Sequence, residues 1–281
     1  NSPNIGGNDG TYLFNYDQRE YRDFRPSISL ASATFDIPIK SNLIQNHCLL
    51  NIFDLEVLPM KRFKQKPKLF KYGGFARLNR ESGFLIFRIP KFKFRPAHAD
   101  ALHLDIWEDG INWIRDAGTY SYALNMEEIK KFVGTEGHST IQFNEKDQMP
   151  HVSKFLFLNW LEPTHIKFNN NSISSGYTDL SNINHNRFVE KIHSGWRIID
   201  SFNGPIKKGK MRWILNPGNW ELKKNSVLNQ KTLISFNSKN NFSYYLSEGL
   251  QSIYYMDKNL VPVLNLDFSS SGEIVTEISF N

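Results

Sequence analysis

Ala97-His98-Ala99-Asp100-Ala101-Leu102-His103-Leu104-Asp105-Ile106-Trp107-Glu108-Asp109-Gly110-Ile111-Asn112-Trp113-Ile114-Arg115-Asp116-Ala117 reads as two β-strands, Ala101–Trp107 and Ile111–Ala117, joined by a tight turn at Asp109-Gly110. Period-2 alternation puts His98, Asp100, Leu102, Leu104 and Ile106 on one face, and His103, Asp105 and Trp107 on the other. The turn decides where Asp116 goes. A two-residue Asp109-Gly110 loop pairs His103 with Asp116, on the face away from His98. A three-residue Glu108-Asp109-Gly110 loop, with Gly110 left-handed in a G1 bulge, pairs Leu102 with Asp116 and brings it to the His98 face. A metal site shared by His98 and Asp116 therefore predicts the longer loop, and the spacing alone does not choose between them.

Outward from this hairpin, strand-like runs and turn signals alternate from about Tyr72 to the end. Further strands are predicted at Gly83–Ile89, Ser139–Asn144, Ser153–Leu161, Arg187–Ile192, Trp196–Phe202, Met211–Leu215, Thr232–Phe236 and Ile274–Phe280. An antiparallel β-sandwich is the economical architecture for so many short strands. Composition agrees, because 14% of the 281 residues are aromatic and β-branched residues are plentiful. The first ~60 residues differ. Ser27–Phe35 follows Pro26 as a helix start would, and Asn42–Leu58 carries an imperfect helical stripe of Leu43, Ile44, Leu50, Phe53 and Val57.

The net charge of +6 is locally concentrated. Lys61, Arg62, Lys64, Lys66, Lys68 and Lys71 form a run that reads, with Pro59 and Pro67, as a solvated linker. Arg88, Lys91, Lys93 and Arg95 lead into His98, and their alternation with Phe92 and Phe94 fits a strand with one basic face. A positive approach suits an anionic ligand. Nucleic acid is not the expected anion, since no recognition helix, zinc finger or RNP-like motif accompanies the charge. No apolar run is long enough to span a membrane. The lone Cys48 cannot form an intrachain disulfide and is expected to be a buried structural thiol, with His47 not facing it.

Three segments carry a family likeness: Arg95-Pro96-Ala97-His98-Ala99-Asp100-Ala101-Leu102-His103, Arg115-Asp116-Ala117-Gly118-Thr119-Tyr120-Ser121-Tyr122, and Gly137-His138-Ser139-Thr140. The turn Glu145-Lys146-Asp147-Gln148, the N-terminal Asn4-Ile5-Gly6-Gly7-Asn8-Asp9-Gly10 and Tyr21-Arg22-Asp23-Phe24-Arg25-Pro26 extend it. Together they resemble the heparinase II/III-like family of polysaccharide lyases. The resemblance implies an antiparallel β-sandwich of the supersandwich type, preceded by a short α-helical remnant of an (α/α) toroid. It divides the chain into the toroid end at 1–60, a basic linker at 61–71 and the sandwich at 72–281, so that the chain reads as a fragment of a longer protein. The chain is expected to pack against its own N-terminal toroid domain in the full-length protein, and a cell-envelope or periplasmic setting goes with the family.

The same resemblance makes His98, Asp116 and His138 ligands of a divalent metal, usually zinc, of mainly structural role, and Asp100 a partner that orients His98. Ordinary buried histidines bonded to backbone or to Asp are the alternative. Lyases of this kind act on acidic, uronate-containing polysaccharides by β-elimination, using a toroid Tyr, a toroid Asn or His, and the first sandwich His. The toroid residues are expected upstream of Asn1, and the sandwich His corresponds to Pro96, which cannot transfer a proton. Arg95, Tyr120 and Tyr122 are the candidate substrate-binding residues; the two tyrosines, two apart, share a face and serve either sugar stacking or the core. A lyase with its acid/base pair elsewhere competes with a non-catalytic carbohydrate-binding or surface-polysaccharide assembly module, and with a purely structural domain. His103 with Asp105 reads as a surface pair. His151, His165, His185 and His193 receive no role, and Phe155–Trp160, Trp213 and Trp220 read as core.

Overall fold

The computed structural model describes residues 3–7, 21–60, 65–93 and 95–281. Asn8, Asp9, Gly10, Lys61, Arg62, Lys64 and Phe94, which the sequence reading invoked, lie outside them. Two compact units are present, one within Gly10–Gln65 and the other made of Pro3–Gly7 with Lys66–Asn281. Pro3–Gly7 therefore belongs with the β unit rather than with the helices. Asn4 Nδ2 donates to Ser252 O at 2.7 Å, and Thr119 Oγ1 donates to Gly6 O at 3.4 Å.

The smaller unit carries helix Arg25–Phe35, begun by Pro26 in its first turn and closed by Asp36 at φ 53. Of the long helical stripe expected over Asn42–Leu58, only Cys48–Ile52 is α-helical. His47 stands outside that helix as its N-cap, so its ring accepts from Leu49 N at 3.1 Å and reaches Cys48 Sγ at 3.9 Å. Cys48 is half-buried rather than buried.

The larger unit is a β-sandwich. One layer is an eight-stranded antiparallel sheet in the order His165–Phe168, Ser172–Thr178, Asn184–Lys191, Gly195–Asn203, Gly272–Phe280, Thr232–Ser238, Ser226–Leu228, Glu221–Lys223. The other layer is built from two smaller sheets. A five-stranded meander runs from Lys68–Phe70 through Phe75–Asn79, Gly83–Arg88 and Leu104–Glu108 to Ile111–Ile114. A four-stranded sheet orders Ser243–Gln251, Asn259–Phe268, Gly209–Ile214 and Ile141–Phe143. A bridge between Ile114 and Leu215 joins the two.

Alternation is clean in the large sheet. His185, Arg187 and Val189 point inward from one strand, and Trp196, Ile198, Asp200 and Phe202 from the next. They meet the smaller sheets across one core: Phe202 stacks on Phe268 at 4.3 Å and the Arg187 guanidinium lies 5.0 Å over Trp213. Trp213 is fully buried, as expected. The expected strand Ser153–Leu161 is instead a short hairpin of His151–Ser153 and Leu156–Phe157. It exposes Phe155, Leu156, Leu158 and Trp160, and only Phe157 and Leu161 of that tract are buried.

Candidate metal centre

The expected three-residue turn is not what forms. Glu108 pairs directly with Ile111, leaving a two-residue loop with Asp109 at φ 50 and Gly110 at φ 77, the geometry of a type I′ turn. A bulge then resets the ladder. Trp107 pairs with Asn112 but Ile106 pairs with Ile114, so Trp113 is an extra residue on the second strand. The second strand ends at Ile114, and the chain crosses to the neighbouring sheet, where Arg115 N donates to Ile214 O and Ala117 N to Gly137 O, both at 3.0 Å. Asp116 is carried by that crossing.

The first strand breaks the alternation too. Leu102 adopts φ 60, and regular pairing begins only at Leu104. The left-handed residue rotates His103 toward Asp116. His103 and Asp105 are consequently both fully buried, not surface residues, and they do not pair. Asp105 accepts from Trp107 Nε1 and Asn112 Nδ2, while His103 Nδ1 accepts from Ser139 N at 2.9 Å and Nε2 lies 3.6 Å from Asp116 Oδ2. That tautomer leaves the His103 proton on Nε2, facing the carboxylate.

His98, Asp116 and His138 come together, each offering one ligand atom within 4.8 Å of the others, and all are buried. His138 Nδ1 is 2.9 Å from Asp116 Oδ2, and Gly118 N donates to Asp116 Oδ1 at 2.7 Å. His98 Nε2 meets Thr119 Oγ1 at 3.3 Å. Buried His98 Nδ1 and His138 Nε2 have no partner among the described residues, and burying such groups unpaired is costly. Burial holds both His98 and His103 neutral, with pKa values pushed down to about 4. Burial alone would lower His138, but the charge and hydrogen bond of Asp116 raise it; Asp116 in turn is held low by His138 against the effect of burial. Two imidazoles, each with an orphaned ring nitrogen, and a carboxylate in a buried site suit zinc by donor type.

Other expected partners move. Asp100 is buried, but its carboxylate takes Arg88 Nε at 3.2 Å, and the hydroxyl on His98 belongs to Thr119. Arg88 is thereby neutralised and clamped between Phe75 and Phe92, each 4.6 Å away, so it lends no charge to a ligand. Lys91, Phe92, Lys93 and Arg95 do not lie in a strand, although Lys93 and Arg95 are exposed. Tyr120 and Tyr122 do not share a face. Tyr120, at φ 63, stacks on Phe132 at 5.1 Å in the core, whereas Tyr122 stands 5.4 Å from Phe155 at the surface.

Beside the candidate metal centre lies a pocket of about 190 Å³ lined by Arg95, Pro96, His98, Tyr122, Lys154 and Phe155, among others. Lys154 Nζ donates to Tyr122 O at 3.1 Å. Lys154 and Phe155 were not anticipated: Phe155 opens the tract Phe155–Trp160 that read as core, and Lys154 before it received no role. Arg187 was also missed. Fully buried, it donates to Leu102 O and Ser139 O at 2.6 and 2.8 Å, next to His103 and His138, and forks onto Asp200 at 2.7 and 3.1 Å. Its signal was the inward alternation of His185 and Arg187, which appears only when the strand is begun at Asn184.

Residues 64–258 match the family model of the heparinase II/III-like C-terminal domain. The chain belongs to the heparinase II/III-like family. Among solved structures, this heparinase II/III-like chain is similar to the heparinase III BT4657 gene product, with TM-score 0.74 and 16% identity over 99% of the chain and 43% of that protein. It is also similar to heparan sulfate lyase HepC from Pedobacter heparinus, with TM-score 0.71 and 18% identity over 100% of the chain and 44% of that protein. At these identities the likeness is one of fold, and the chain spans less than half the length of either heparinase. No curated protein matches it by sequence.

Proposed function

We propose that the chain is the C-terminal part of a polysaccharide lyase that cleaves an acidic, uronate-containing glycan by β-elimination, with a structural zinc ion held by His98, Asp116 and His138. The observation that carries this reading is the convergence of those three buried side chains beside a pocket walled by Arg95, Tyr122, Lys154 and Phe155. The likeness to a heparan sulfate lyase supports an acidic glycan as substrate class. When bound, the metal would tie together three segments that no continuous ladder joins. Elimination needs a cation for the uronate carboxylate, a base for the C5 proton and an acid for the leaving oxygen. Exposed Arg95 supplies the first by charge-assisted hydrogen bonds, and Tyr122 and Phe155 offer ring faces to the sugar.

Proton transfer is assigned to residues upstream, a Tyr and an Asn or His of the toroid. Unit Gly10–Gln65 is read as the end of that toroid, and its exposed Phe35, Ile37, Ile52 and Phe53 support a larger helical body around it. Pro96 favours a second reading. It lines the pocket where the family places a His, and losing one general acid/base group costs ~10²–10⁴-fold in rate. A glycan-binding or surface-polysaccharide assembly module is then the alternative.

Elemental mass spectrometry of the purified chain beside His138→Ala tests the metal. One zinc per chain, absent from the variant, is expected; a chain free of metal without chelators sinks the site. Release of unsaturated uronate by the full-length protein separates lyase from binding module.

A further inference from the structure

Helix Met126–Val133 divides the metal-site pocket, to which it gives Ile129 and Val133, from a larger cleft of about 670 Å³ to which it gives Lys130. The two share no lining residue. A second groove of about 320 Å³ adjoins the large cleft, and Arg212 and Glu136 are walls common to both. Arg212 lies on the outward row of strand Gly209–Ile214, opposite Asn265. Its guanidinium makes no ion pair or hydrogen bond among the described residues, and Nη1 is buried without a partner.

Several of the neighbouring charges are already engaged. Lys210 pairs with Asp267 at 3.3 Å and Lys208 with Glu145, while Asp147 accepts from Thr135 N. Asp179 accepts from Ser181 N and Ile183 N. Glu136 is the acid acting most strongly on Arg212, yet it does not reach it. Lys130 and Lys146 face the cleft with no ion pair among the described residues. Burial lowers the proton affinity of Arg212, and the charges of Glu136, Asp267 and Asp147 around it oppose that shift without forming an ion pair with it. A protein that keeps such a group unpaired at the junction of two clefts has a fork ready for a planar or tetrahedral oxyanion.

We propose that the Arg212 cleft is an oxyanion subsite, separate from the His98 pocket, that takes a sulfate or carboxylate carried on an acidic saccharide, with Lys130 and Lys146 as flanking cations. For the carrier the proposal rests on the acidic-glycan reading above; the anion site does not.

The test is thermal unfolding of the chain in sodium sulfate against sodium chloride at matched ionic strength. Sulfate is expected to raise the Tm of the parent beyond chloride. R212M is expected to raise the Tm without sulfate, by removing an unpaired desolvated charge, and to weaken apparent sulfate affinity by about tenfold or more. E136Q should strengthen it. A sulfate increment of equal size in R212M, or none in the parent, overturns the proposal, and a lowered Tm for R212M would mark a structural arginine instead. Calorimetric titration with a heparan sulfate tetrasaccharide identifies the carrier. Binding weakened in R212M places the oxyanion on a saccharide. A sulfate response without tetrasaccharide binding keeps the subsite for a free inorganic oxyanion and counts against the glycan reading alone.

Discussion

Arg187 touches no candidate ligand atom, yet it bonds the carbonyls of Leu102 and Ser139 and so fixes the residues before His103 and after His138. Removing it strands Asp200, with His185 as its remaining partner at 2.7 Å, and two buried carbonyls. Arg187→Met is expected to cost about 3–5 kcal/mol, as for other broken buried ion pairs, and to loosen metal retention. Urea unfolding of Arg187→Met, Asp200→Leu and the double variant checks this. A double variant more stable than either single one is the expected outcome, because no lone charge then remains. The three candidate ligands were legible in the sequence as motif residues, and the structure brings them together. Their neighbours were not. His103 and Asp105 read as surface groups because alternation was carried through Leu102, whose φ of 60 no pattern announces.

Turns and bulges set the site more than strands do. The I′ turn at Asp109-Gly110 and the extra residue Trp113 together return Asp116 to His98, a combination that loop length alone did not foresee. Gly110→Ala, placing a side chain at φ 77, is expected to cost about 1–2 kcal/mol while metal content stays unchanged. Gly118→Ala should behave differently. There φ is 79 and a Cβ would stand 2.1 Å from Ser252 O, so the loop that hydrogen-bonds Asp116 must shift. Loss of zinc with all three ligands intact is the predicted result, read by elemental analysis of both variants. Retained zinc in Gly118→Ala would show that this loop does not position Asp116. Helix Met126–Val133 was missed although its signals are ordinary. Asn125 caps it by accepting from Glu128 N at 2.9 Å, and Ile129, Phe132 and Val133 form its buried stripe.

In the whole sandwich, four strands of the eight-stranded layer were legible, among them Asn184–Lys191 and Gly195–Asn203, which alternate cleanly in burial, whereas Ser172–Thr178 and the three short outer strands were not. The division of the opposite layer into two sheets was not readable, because it depends on the single Ile114–Leu215 bridge. The buried polar row predicts acid sensitivity. Burial lowers His185 from 6.5, so its neutral form stabilises the fold above 6.5 and that contribution is lost as pH falls through the folded value. Burial would raise Asp200, but Arg187 and His185 hold it below 3.8, so its contribution fades only at lower pH still. Unfolding free energy should therefore decline in two stages below neutrality, the first shared with His98 and His103, and His185→Gln should shrink that first stage. An unaltered first stage in that variant would assign it to other groups. The bond from Asn4 to Ser252, between positions 248 apart, has a consequence for synthesis. A ribosome delivers all three ligands long before Ser252, so the loop beside Asp116 waits for its last support. The candidate metal centre is therefore completed only once Ser252 has emerged.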